Sequence, residues 1–384
     1  MNKPPRKDAF DIGRTLPNRA PSRHTPIKPD EAAVTQRPVV KEPRRFGFKK
    51  ALLSLVLLVL VFFIVVGTWD AVALSRASQK MFGNGNLLSL IGGDLGQHNG
   101  RTNILVAGYS ADDPGHSGAN LTDSIMLISL DSTKKSGYIL SIPRDLYVDI
   151  PSYGYAKINE AYQDGENGGF SQQGYAAGGM GLLESIVTSK FNTPIDYYAL
   201  VDYAALRDTV NAVGGITINI QSIDPRGIYD PSLDYTSATC CALANYPNGL
   251  VTLNGKQALN LARARGESAE SYGFGQSDFD RTQHQRQMLL ALKAKAVNWS
   301  VIVNPLKAGH IFDGMASNVK TDLNTGNVLP LFSLFNNVKN LQSVGLRDFN
   351  GKNYLISYGG ALIPTAGIDD FSQIQDALSQ LNQQ

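Results

Sequence analysis

The sequence predicts a layered α/β or α+β domain preceded by a single N-terminal transmembrane helix. Three observations lead there. An uncharged apolar run, ALLSLVLLVLVFFIVVGT, fills Ala51–Thr68 and has about the length of a hydrocarbon-spanning helix. From Thr102 onward, short β-favouring runs alternate with helical segments, the pattern of a sheet covered by helices. The 384 residues are 43% apolar and 18% charged, which is enough to bury a sizeable core and excludes global disorder.

Residues 1–50 are rich in Pro, Lys, Arg and Asp and poor in aliphatic clusters. They cannot bury enough surface to fold and read as a disordered basic cytoplasmic tail. They hold 13 Lys/Arg against 5 Asp/Glu, whereas the remainder holds 22 against 28. Arg44, Arg45, Lys49 and Lys50 precede the apolar run, so residues 51–69 span the membrane with the N-terminus inside. A cleaved signal peptide is the alternative, because AVA at Ala71–Ala73 has the small-x-small form of a cleavage site. The long basic lead and the length of the apolar run argue against it. Residues 70–100 read as a juxtamembrane helix and a Gly/Asn-rich linker. Residues 101–384 read as one extracytoplasmic domain. Its acidic balance disfavours a nucleic-acid partner.

Within that domain, TNILVAGYS, DSIMLISLD and GYILSI are strands, the last stopped by Pro143, which has no N–H to donate to a ladder. AAGGMGLLESIVTSKF is a helix and IDYYALVDY a strand. AALRDTVNAVGG is a helix stopped by Gly214 and Gly215. ITINI alternates and is a further strand. Asp224–Asn248 reads as a long loop carrying the only cysteines, Cys240 and Cys241. Two cysteines exclude a disulfide framework; the adjacent pair is either a sterically awkward vicinal bridge or two small buried residues. DFDRTQHQRQMLLALKAKAV is a long amphipathic helix, and further helices are expected near Val301–Phe312, Asn324–Phe335 and Phe371–Leu381.

The arginines fall at the ends of these elements. Arg144 follows the third strand. LNGKQALNLARAR begins as a helix; Arg263 and Arg265 lie at its end in LARARGE, which, if extended, places both on one face. Arg281 and Gln285 share a face of the long helix at i and i+4. Guanidinium forks bind phosphate oxygens bidentately, so the set reads as a phosphate or pyrophosphate clamp. Asp123 heads the second strand, Asp145 follows Arg144, and Asp278 and Asp280 open the long helix. Carboxylates beside phosphates hold Mg²⁺; taken singly, each is also an ordinary ion-pair partner or a helix cap.

The ordered set NILVAG, TDSIMLISL, LSIPRDLYVDIP, KINEAY, VDYAALRDTVNAVGGI, LNGKQALNLARAR and DFDRTQHQRQ resembles the LytR-CpsA-Psr family, from about Thr102 to the end. The resemblance implies an α-β-α sandwich with a mixed central sheet cradling a lipid tail. It implies a phosphotransferase moving a glycopolymer from a polyprenyl-pyrophosphate carrier to peptidoglycan through a phosphodiester, beside the membrane lipid. Arg144, Arg263, Arg265 and Arg281 correspond to pyrophosphate-binding arginines, with Gln285 and Lys157 beside them. Asp123 corresponds to an aspartate tied to metal and catalysis; the implied ion is Mg²⁺, with Mn²⁺ as a substitute. Two positions depart from the pattern. Ser110 stands where an aspartate is usual, leaving Asp112 or Asp113 to serve as metal ligand, and His284 stands where a second helix arginine is usual. A polyprenyl-pyrophosphate hydrolase and a non-catalytic lipid-binding or regulatory protein are the competing readings.

Overall fold

In the computed structural model, residues 93–110, 120–231, 243–296 and 318–383 are described, and all belong to one compact unit, Leu58–Gln384. The basic tail, the apolar run 51–69, the helical part expected in 70–100, Asp112, Asp113, Cys240, Cys241 and the helix expected near Val301–Phe312 lie outside the described residues. Among the described residues no helix is long and apolar enough to cross a membrane.

The chain runs β1 (Arg101–Tyr109), β2 (Thr122–Asp131), β3 (Ser136–Ile142), the hairpin β4 (Tyr147–Ile150) and β5 (Gly154–Lys157), then α1 (Ala161–Gly168) and α2 (Gly179–Phe191). β6 (Tyr197–Val201), α3 (Tyr203–Ala212), β7 (Ile216–Ile220), β8 (Ile228–Asp230), β9 (Ala244–Tyr246), β10 (Gly249–Leu253) and α4 (Gly255–Arg263) follow. The chain closes with α5 (Asp278–Ala296), β11 (Val319–Thr321), α6 (Thr325–Asn337), β12 (Asn340–Gly345), β13 (Leu355–Tyr358), β14 (Ala361–Pro364) and α7 (Ser372–Gln383). Among the described residues the central sheet has the order β11-β6-β1-β2-β3-β12. β1 is antiparallel to β2 and parallel to β6, and β3 is antiparallel to β2 and parallel to β12. The sheet is therefore mixed, as the resemblance implies.

The period of two along the strands divides the core. Leu105 and Ala107 face one side with Leu127, Leu140, Leu183, Ile186, Ile374 and Leu378, which brings in α2 and α7. Ile104 and Val106 face the other side with Ile128, Ile139, Leu289 and Leu334, against α5 and α6. Each fully buried aliphatic side chain contributes about 2 kcal/mol. A separate core forms from Val210, Ile216, Ile218, Leu253, Leu261 and Met288, uniting α3, β7, β10 and α4 beside α5.

Two expectations change. The segment Asp224–Asn248 is not wholly loop, because β8 pairs with β9; strands this short carry no alternation to detect. The long helix α5 is not amphipathic with one apolar stripe. Met288 packs in the α3–β7–α4 core while Leu289 and Leu290 pack on the sheet, and Arg281, Thr282, His284 and Arg286 are also buried. α5 is a shared wall between two cores, so more than one of its faces is covered.

Candidate active site

The clamp assembles at the end of the sheet where β1 finishes and β2 begins. The β1–β2 register shifts between Gly108 and Tyr109, immediately across from Asp123 and Ser124. Pro143 ends β3, and Arg144 leaves the strand towards Asp123. LARARGE is not extended throughout: α4 ends at Arg263, and only from Ala264 (φ −63°, ψ 129°) does the backbone become extended. Arg263 is thus a helix-end residue whose guanidinium lies 4.7 Å over the Tyr203 ring. The helical turn and the extended residue together still bring Arg263 and Arg265 to one cavity. The turn after Arg265 is pinned by Asp230, whose Oδ2 accepts the backbone N–H of Arg265 (3.0 Å) and Gly266 (2.9 Å). Gly266 has φ +71°, and a Cβ there would lie 2.4 Å from the Phe274 ring, so only glycine fits the turn.

Asp123 is the centre of the cluster. Arg144 Nη1 donates to its Oδ1 at 2.7 Å, Arg265 Nη2 stands 3.5 Å from its Oδ2, and Arg281 Nη2 donates to its backbone oxygen at 2.7 Å. Asp278, in the first turn of α5, accepts an ion pair from Arg281 at 2.6 Å and faces Arg144 Nε at 3.6 Å and Arg265 Nε at 4.0 Å. Burial would raise the Asp123 carboxyl, but Arg144, Arg281 and Arg265 outweigh it and hold it below the ordinary carboxylate range. Burial pushes Arg281, 2% exposed, down to about 10, which leaves it charged at neutral pH. Among the described residues, the Nε–H groups of Arg144, Arg265 and Arg281 are buried and donate no hydrogen bond. These donors, two of them only at ion-pair distance from Asp278, are the ones that an anionic ligand's oxygens would satisfy.

Beyond the arginines a cavity of about 420 Å³ opens between β1, β2, α3, α4 and α5. Asp123, Arg263, Arg265, Arg281 and Gln285 line it, and Val106, Met126, Leu206, Met288, Leu289 and Leu292 make apolar wall. Gln285 is fixed at both ends, accepting from Ser124 Oγ at 2.8 Å and donating to the Ala262 oxygen at 2.9 Å. The arrangement suits an amphiphile with an anionic head at the guanidiniums and an apolar tail in the cavity.

Some expected residues stand elsewhere. Arg144 contacts the cluster without lining the cavity, and Lys157 is one step further back, bonded to Asp145 at 2.7 Å. Asp145 in turn faces Arg144 Nε at 3.7 Å. Ser110 is buried with an unpartnered hydroxyl. His284 is buried and is not part of the cavity lining, and burial with Arg286 nearby pushes it down to about 4; it is a neutral core histidine, not a substitute cation. For a metal, the donor set is wanting: among the described residues no group of three or more His, Cys, Asp or Glu is placed to hold an ion, and Asp123 already faces three guanidiniums. Asp112 and Asp113, the other expected ligands, lie outside the described residues, and no step below uses Mg²⁺ or Mn²⁺. Asp230 and Tyr203 escaped the sequence reading. Asp230 sits in a segment read as loop, and only the fold reveals that its carboxylate holds the Arg265 turn.

The chain is 32% identical over 238 residues to the polyisoprenyl-teichoic acid–peptidoglycan teichoic acid transferase TagU of Oceanobacillus iheyensis, covering 62% of this chain and 64% of that protein. It is 29% identical over 220 residues to the regulatory protein MsrR of Staphylococcus aureus, covering 57% and 56%. The chain thus spans less than two thirds of the length of these curated relatives. Its fold matches the solved structure of YwtF (TagT), a LytR-CPS2A-psr family protein with bound octaprenyl pyrophosphate lipid, with a TM-score of 0.50 and 20% identity over 75% of this chain and 92% of that one. The LytR_cpsA_psr family matches residues 70–363, most of the chain, and this protein belongs to that family.

Proposed function

We propose that the protein transfers a glycopolymer from a polyprenyl-pyrophosphate carrier to peptidoglycan, as an envelope enzyme anchored by residues 51–69 with its catalytic domain, 101–384, outside the cell membrane. The observation that carries this is the convergence of Arg144, Arg265 and Arg281 on Asp123 at the mouth of an apolar-walled cavity. The relatedness to a teichoic acid transferase and the fold shared with a protein holding octaprenyl pyrophosphate support the same reading.

In this reading the lipid tail occupies the cavity and the two phosphates accept from Arg263, Arg265, Arg281 and Arg144. A sugar hydroxyl of peptidoglycan attacks the sugar-linked phosphorus. A new O–P bond forms, the bond from that phosphorus to the bridging oxygen breaks, polyprenyl phosphate leaves with the bridging oxygen, and the hydroxyl proton passes to solvent or to the departing phosphate. Phosphoryl transfer asks for positioning and charge stabilisation more than covalent help. The guanidiniums stabilise charge developing on the leaving phosphate. Asp123 accepts the hydrogen bond of the attacking hydroxyl and orients it; held below the ordinary carboxylate range, it is a weak base and acts chiefly by orientation. Mg²⁺ or Mn²⁺ belongs to the proposal only through Asp112 or Asp113 joining Asp123, and the steps above stand without it.

The test supplies the purified full chain with polyprenyl-pyrophosphate-linked glycopolymer and peptidoglycan fragments. Linked product with an equivalent of polyprenyl phosphate is expected. Glycopolymer phosphate released without linkage would make the protein a hydrolase. Lipid held without turnover would make it a binding or regulatory protein, the reading the MsrR name favours.

A further inference from the structure

The hairpin β4–β5 carries a feature the clamp does not use. Its inner face is fully buried through Val148 and Ile150. Its outer face presents Tyr147 opposite Lys157 and Asp149 opposite Tyr155. Tyr147 and Tyr155 stack with centroids 5.6 Å apart at 24°, and Tyr358 of the neighbouring β13–β14 hairpin tilts against Tyr147 at 6.0 Å and 42°. The two hairpins are joined where Leu362 N–H donates to the Asp145 oxygen at 2.9 Å. The result is a strip of three tyrosines whose outer members stay about half exposed, Tyr155 at 51% and Tyr358 at 47%. Large aromatic surface left in water in one patch marks a docking place, and tyrosine keeps its hydroxyl solvated while offering a flat apolar face.

The strip's position selects its occupant. It lies next to Lys157, which bonds Asp145, which faces Arg144, which bonds Asp123. None of Tyr147, Tyr155, Tyr358, Lys157 and Arg144 lines the apolar cavity. The attacking and leaving oxygens of a phosphoryl transfer lie roughly in line through phosphorus. With the lipid-bearing leaving group in the cavity, the acceptor must approach from off the cavity, where the tyrosines stand. Pyranose rings present polarised C–H faces that pack on the electron-rich face of an aromatic ring, with equatorial hydroxyls left for Lys157 and Asp149. We infer that Tyr147, Tyr155 and Tyr358 form the acceptor subsite, a platform for the pyranose rings of a glycan strand. This rests on the transfer reading above and adds to it where the acceptor binds.

The experiment measures transfer by the full chain with the acceptor glycan fragment varied. Tyr155→Ala and Tyr358→Ala are each expected to raise KM for the acceptor about three- to tenfold, the range of a single aromatic contact. kcat and the KM for the lipid-linked donor should hold, and Tyr155→Phe should keep the acceptor KM. In the unsubstituted protein, adding the glycan fragment should protect Tyr155 and Tyr358 from hydroxyl-radical labelling. An unchanged acceptor KM in both alanine variants, or no protection, overturns the platform while transfer by the unsubstituted protein leaves the functional reading intact. Protection by anionic-lipid vesicles but not by glycan overturns it in favour of a membrane contact. Absence of any linked product from the unsubstituted protein defeats the functional reading instead; the platform then stands or falls on the labelling alone.

Discussion

The two ends of the β1–β2 pair both bury arginine, and they use it oppositely. At the start of β1, Arg101 donates Nε to Ser129 Oγ at 2.8 Å and Nη2 to the Ser129 oxygen at 3.2 Å, and pairs Nη1 with Asp131 at 3.4 Å. Its guanidinium also lies 5.4 Å over the Tyr138 ring. That arginine is matched on every side and serves the fold. At the far end, the Nε groups of Arg144, Arg265 and Arg281 are buried without a hydrogen bond among the described residues. The three cations gather around two carboxylates, Asp123 and Asp278, the latter at ion-pair rather than hydrogen-bond distance from two of those Nε groups. A second internal control is Arg286, five residues past Arg281 on α5, whose Nε and Nη1 donate to Ser343 Oγ and Ser141 Oγ, both at 2.7 Å. Buried arginine alone therefore does not mark a site; buried arginine with unmatched donors beside a cavity does.

The largest expected effect tests the unmatched end. Arg144→Ala should lower kcat/KM for transfer by about 10³-fold, the scale of an arginine that stabilises a phosphoryl transition state, with the melting temperature nearly held because Arg144 is partly exposed. Steady-state kinetics beside thermal melting checks this, and near-normal transfer breaks the contrast. Arg101→Ala should do the reverse. Removing one partner of a buried ion pair costs about 3 kcal/mol, read as a lower urea midpoint, while kcat/KM of the folded protein holds.

A third prediction concerns pH and two groups buried away from the clamp. Burial and Arg286 push His284 down to about 4 from 6.5. Between those values the unfolded chain binds a proton the folded one refuses, so stability rises with pH. Burial in α2 pushes Glu184 up to about 7 from 4.5. There the folded chain keeps a proton the unfolded one has lost, so stability falls as pH rises. Each slope reaches about 1.4 kcal/mol per pH unit, and they oppose one another between pH 4.5 and 6.5. Urea unfolding of the parent should vary little across that window. His284→Leu should become less stable as pH rises and Glu184→Gln more stable; identical slopes in all three proteins would sink the assignment. The smallest effect belongs to Lys157→Gln. Its ion pair with Asp145 is partly solvated, 38% and 26% exposed, and such pairs contribute about 0.2–1 kcal/mol. Transfer should fall no more than about fivefold, with acceptor KM affected before kcat; a loss as large as for Arg144 would place Lys157 on the pyrophosphate.

Much of this was legible before any coordinates. The strand ending in Pro143, the helix stopped before Gly214, and Arg281 and Gln285 at i and i+4 are local facts, written in backbone chemistry and short periods. The resemblance named three arginines, Arg144, Arg265 and Arg281, that the structure brings together at Asp123. What changed had one local and one tertiary cause. LNGKQALNLARAR begins as a helix, as read, and the Asn254–Gln257 capping box starts it; that helix runs on to Arg263, so the conditional extended face for Arg263 and Arg265 holds only from Ala264. The long helix reads as amphipathic, yet a second core claims another of its faces.

The sequence by itself determined the order of elements, the α/β class, the family and the residues eligible for a clamp, because propensity, periodicity and motif order act between near neighbours. Only the tertiary structure decided that Arg144 and Arg281, 21 and 158 positions from Asp123, meet there with unmatched donors. It also decided that Lys157 stands one ion pair behind and His284 stays neutral in the core. Ion pairing, desolvation and cavity shape depend on distance in space, and a chain that folds back through a mixed sheet does not conserve distance along its length.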